Sequence, residues 1–139
     1  DLGSALDKLE CVAQKKMAIT VPAGPVPAFD TRLMEYLGRV APPNRIDAEA
    51  IGILAAKGRH PELSYIVCER PMRFDSLDYA KSELLRLAGK EPLDDRESDL
   101  FERYLTEHFK IIDQGGATVY QLDYTLTAHW AFIVWTKDA

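Results

Sequence analysis

The sequence predicts an α+β domain in which several helices pack on an antiparallel sheet whose main strands are C-terminal. Three observations predict it. Apolar residues recur at helical spacing through the first half of the chain. A long segment from Ala117 to Trp135 instead alternates with a period of two. Nothing in between alternates strand and helix in the manner of a doubly wound parallel sheet. The whole chain, 1–139, reads as a single domain, its N-terminal helix joined to the rest by a Pro-rich connector at 22–27.

The elements follow in order. Leu2, Leu6, Leu9 and Ala13 lie on one helical stripe, which predicts a helix from about Ser4 to Lys16. Met17 to Val21 reads as a short extended piece, and Pro22, Gly24, Pro25 and Pro27 form a stiff connector. Asp30 caps a short helix with Leu33, Leu37 and Val40 inward. Asp47 is the expected cap of the next, with Ile51, Leu54 and Ala55 inward and Gly58 at its C′ position. Leu63 to Glu69, rich in β-branched and aromatic residues, reads as the first good strand. Asp75 and Ser76 precede a helix with Leu77, Ala80, Leu84 and Leu87 on one face, and Gly89 stops it. The best helix starts within Pro92 to Asp95 and buries Leu100, Phe101, Tyr104, Leu105 and His108. Asp113-Gln114-Gly115-Gly116 turns a hairpin. Beyond it Tyr120, Leu122, Tyr124, Leu126, Trp130, Phe132 and Val134 share the core parity. The span is long for one strand, so one bent strand and two strands with a turn near Asp123 to Thr125 both fit.

Composition narrows the function. With 139 residues, 47% apolar and 28% charged, the chain is of globular type. No apolar run approaches the ~20 residues of a membrane span. A net charge of −5 and a pI near 5.2 argue against nucleic acid as the partner, because phosphate binding needs a basic face. The chain begins at Asp1 rather than Met, which suggests a processed, periplasmic or secreted protein, with a cytoplasmic one as the alternative. In an exported protein Cys11 and Cys68 are candidates for a disulfide, worth about 4 kcal/mol in the chain-entropy model. In a reducing compartment they read as two buried, reduced thiols behaving as small hydrophobes.

No motif assigns a reaction, a cofactor or a metal. His60, His108 and His129 lack zinc spacing, and there is no phosphate loop or nucleophile elbow. Three functional expectations remain. The first is a non-catalytic binding protein: a small exported bacterial inhibitor or immunity protein that neutralises a basic toxic enzyme. It rests on the segment from Glu91 to Glu107, where seven acids meet only Arg96 and Arg103. Asp95, Asp99 and Glu102 fall on one helical face, suited to steering a basic protein partner. The second is a small hydrolase or isomerase using the polar sheet face of Asp123, Thr125, Thr127 and His129, a row whose simpler reading is a solvated sheet face. The third is a ligand site lined by Tyr120, Tyr124, Trp130 and Phe132, whose simpler reading is core.

Overall fold

The computed structural model describes residues 1–137. Its elements are α1 (Leu2–Val12), β1 (Lys16–Pro22), α2 (Thr31–Tyr36), α3 (Ile46–Ala56), β2 (Glu62–Phe74), α4 (Leu77–Leu87), α5 (Asp95–His108), β3 (Phe109–Gln114) and β4 (Ala117–Thr136). The fold is α+β, as the patterning predicts: helices with an antiparallel sheet of strand order β1-β4-β2, to which β3 adds by pairing with β4. The Asp113–Gly116 hairpin forms, and β4 is one strand without a turn at Asp123 to Thr125.

The chain divides into two compact units, and β2 and β4 contribute residues to both. Among the described residues the first comprises 1–24, 44–68 and 128–137. Its core is Leu6 of α1, Met17 of β1, Ala50 and Leu54 of α3, and Ala131, Ile133 and Trp135 of β4. Helix α1 runs Leu2–Val12 rather than Ser4–Lys16. The Asp1 carboxylate accepts from the Ser4 amide at 2.8 Å, and Ala13 is already extended. Helix α3 starts at Ile46 with Arg45, not Asp47, at the cap position; Ala50 replaces the exposed Ala55 on its inner side.

The second unit comprises residues 25–43 and 69–127. Leu33 and Leu37, Met72 and Phe74, Ala80, Leu84 and Leu87, Phe101, Tyr104 and Leu105, and Leu122 and Leu126 form its core. Val40, expected inside, is 90% exposed, because α2 ends at Tyr36 and Gly38 (φ 78°) turns the chain away. Leu77 is likewise exposed, whereas Ala80, Leu84 and Leu87 of the same stripe are buried.

One correction concerns β4. From Leu122 to Ala128 the buried residues are even-numbered; from Ala131 to Trp135 they are odd-numbered. Phe132 is exposed, and Trp130 and Val134 are half-buried, where the alternation puts all three in the core. The neighbouring strand explains the change. Antiparallel register sets Met17 opposite Trp135, Ile19 opposite Ile133 and Val21 opposite Ala131, while Lys16 and Thr20 face Thr136 and Phe132. The apolar side of β1 therefore selects the odd side of β4, and α3 packs against β1.

Candidate functional site

Helix α5 carries the predicted acidic face, and its frame is strongly determined. The Asp94 carboxylate accepts from the Glu97 amide at 2.7 Å, and the Glu97 carboxylate accepts from the Asp94 amide at 3.2 Å, a complete capping box. Phe101, Tyr104 and Leu105 are buried on one side, leaving Asp95, Asp99 and Glu102 exposed on the other. Neither Asp95 nor Asp99 forms an ion pair among the described residues, while Glu102 meets Lys81 at 3.3 Å.

Glu97 does not belong to that outward charge. It is buried, and the Arg39 guanidinium beside it holds its carboxyl below the usual range. Arg39 donates two bonds to Glu97, at 2.5 and 3.1 Å. Its other donors reach the carbonyls of Ala88, Glu91 and Pro92 at 3.0, 2.9 and 3.1 Å. All five N–H groups are thus engaged. Arg39 lines a cavity of about 690 Å³ together with Phe29, Met34, Val40, Lys90 and Pro92. With its donors committed to the protein, Arg39 holds the loop after α4 against the start of α5 rather than offering a free cation to a ligand. Sequence reasoning misses this residue, because its partner Glu97 counts there only as one more acid.

The polar face of β4 is divided. Asp123 is bonded by His108 Nδ1, at 3.0 and 3.2 Å, and not by His129, which is exposed farther along the strand in the other unit. Asp123 and Thr125 line a smaller recess of about 270 Å³ with Lys110, Gln121 and Tyr124. Of the four aromatics proposed as a pocket, only Tyr124 lines it. Tyr124 is held by a chain of polar contacts. Its hydroxyl bonds Tyr104 and donates to Asp30 at 2.6 Å, and the Arg32 guanidinium lies 4.4 Å from its ring centre. Fully buried Asp30 also accepts from the Arg32 and Leu33 amides at 3.1 and 3.2 Å, so one carboxylate caps α2 and satisfies a tyrosine of β4. Burial raises Tyr104 to about 12 and raises Tyr124 further, with the Asp30 bond adding to the effect.

The disulfide expectation is overturned. Cys11 on α1 and Cys68 on β2 are both unpaired and exposed, each on the solvent side of its element. Among the described residues no group of three or more His, Cys, Asp or Glu is placed to hold a metal ion, and no helix is long and apolar enough to cross a membrane. No family model, curated protein or solved structure matches the chain.

Proposed function

We propose that this protein is a non-catalytic binding protein that engages a basic protein partner through α5; its concrete form is a small exported inhibitor or immunity protein that neutralises a basic enzyme. The observation that carries the reading is the exposed stripe of Asp95, Asp99 and Glu102 on a helix whose opposite side is locked into a core. A rigid helix presenting carboxylates one turn apart raises the encounter rate with a positive surface and contributes less to the lifetime of the complex. The test compares the wild type with the triple variant D95N/D99N/E102Q. Proteins retained on each are identified, and association of the retained partner is followed by stopped-flow mixing at low and high salt. The reading expects a basic partner whose on-rate falls with salt and falls again in the variant. Salt-independent association at an unchanged rate in the variant would overturn it.

A second reading rests on the His108–Asp123 pair. Asp123, which lines the smaller recess, engages Nδ1 and leaves Nε2 as the ring position for proton transfer. This moves the hydrolase alternative from His129 to His108. It expects hydrolysis of chromogenic esters to be lost in His108→Ala and kept in His129→Ala; no hydrolysis by the wild type, or equal loss in both variants, removes it.

A further inference from the structure

Strand β2 stands at one end of the order β1-β4-β2, and no strand among the described residues pairs with its outer edge. Such an edge presents a row of unpaired backbone N–H and C=O groups, and native proteins shield it with lysine, proline, bulges or a covering element. From Glu62 to Cys68 this strand has neither lysine nor proline, and every residue from Glu62 to Pro71 is exposed. That includes Leu63 at 41%, Tyr65 at 59%, Ile66 at 44% and Val67 at 58%. Apolar side chains therefore lie exposed on both faces of an unpaired edge.

We propose that β2 pairs antiparallel with β2 of a second copy of this chain, about a two-fold axis at Ile66. The charge pattern of the strand selects the occupant and the register. Two identical antiparallel strands related by a two-fold must centre on a residue, because the axis can exchange only equivalent backbone hydrogen-bonding rings. Centring on Ile66 sets Glu62 opposite Arg70 at both ends of the ladder. It also sets Tyr65 opposite Val67 twice, and Ser64 opposite Cys68. Of the registers centred on Ser64, Tyr65, Ile66, Val67 or Cys68, only this one places a carboxylate of the strand opposite a guanidinium of the strand. The same register gathers Tyr65 and Val67 of both copies into one patch, the aromatic and β-branched pairing that stabilises neighbouring strands. Ile66 meets Ile66 on the other face. The pairing satisfies the open edge and covers the apolar residues together.

Charge reversal tests the register, using residues that are all exposed and so tolerate substitution. The wild type is expected to sediment as a dimer that dissociates on dilution. Glu62→Arg places arginine opposite Arg70 and should weaken association at least 10-fold, and Arg70→Glu should do the same. The double variant E62R/R70E restores opposite charges and should restore the dimer. Ile66→Lys, which sets two ammonium groups together at the axis, should give a monomer with an unchanged circular dichroism spectrum. In a Cys11→Ser background, adding Ser64→Cys should give a disulfide-linked dimer on mild oxidation, the introduced thiol of one copy bonding Cys68 of the other, whereas Cys68 alone should not. A wild type that stays monomeric at high concentration overturns the proposal, as does a ladder of higher oligomers. Failure of E62R/R70E to recover, or efficient linkage through Cys68 alone, also overturns it, the last by showing a register centred on Cys68.

Discussion

Glu10 shows how one side chain can organise a unit. It is buried on α1, yet it accepts from Arg59 at 3.0 and 3.1 Å, from Lys57 at 2.9 Å and from the Trp135 indole at 3.1 Å. The bonds from Arg59 and Lys57 hold its carboxyl down to about 2, against an ordinary value of 4.5. Between those two pH values the unfolded carboxyl takes up a proton and the folded one does not. The unfolded chain then binds more protons, so the stability that Glu10 contributes is full above pH 4.5 and is lost as the pH falls toward 2. Urea midpoints across this window should fall steeply for the wild type and less steeply for Glu10→Gln, which should already be weaker at neutral pH because Arg59 and Lys57 lose their charged acceptor. Tyr104 and Tyr124 act at the other end of the scale. The folded state resists their ionisation, Tyr104 to about 12 from an ordinary 10.0, so unfolded tyrosinate forms first and stability declines as the pH rises above 10. Tyr124→Phe should make that alkaline decline shallower, as followed by ultraviolet absorbance and circular dichroism.

At the scale of elements, α5 joins two kinds of acid. Asp94 and Glu97 hold the first turn, whereas Asp95, Asp99 and Glu102 face water. Asp94→Ala removes the cap and should cost about 1 kcal/mol in denaturant unfolding. The triple replacement of the exposed acids should leave the stability within about 0.5 kcal/mol per residue, because solvated positions carry little packing. A loss several times larger would place these side chains in the fold rather than on a binding surface. Strand β4 teaches a related point. Its even residues serve one core and its odd residues another, so no single parity assigns its interior. The alternation of β1, Lys16-Met17-Ala18-Ile19-Thr20-Val21, carried the missing signal, but it becomes informative only once β1 is known to pair with the end of β4.

At the scale of the molecule, the hydrophobic effect works in two separate clusters. Leu54, fully buried in the first unit, and Leu84, fully buried in the second, each anchor one. Leu54→Ala and Leu84→Ala should each lower the unfolding free energy by about 2–5 kcal/mol, the cost of the lost transfer energy and of the cavity left behind. Urea titration checks both, and a negligible loss at either site would show that its cluster does not support the folded state. The 22 acids behind the net charge of −5 are likewise unevenly used, since Glu97 is paired internally with Arg39 and Glu10 with Lys57 and Arg59.

By itself the sequence determined what local physics sets. Helix periodicity placed α4 and α5, Asp30 and Ser76 marked the starts of α2 and α4, Gly89 ended α4, and Gly115-Gly116 made the hairpin. It also identified the acidic row on α5, because i, i+4, i+7 spacing is a property of one helix. Tertiary structure alone decided which partners meet across the chain. It gave Asp123 to His108, committed every donor of Arg39, left Cys11 and Cys68 apart on exposed surfaces, and left the apolar strand from Leu63 to Val67 open at a sheet edge. Side-chain spacing along one element follows from backbone geometry, whereas contacts between distant segments depend on strand order and register, which no single stretch of sequence encodes.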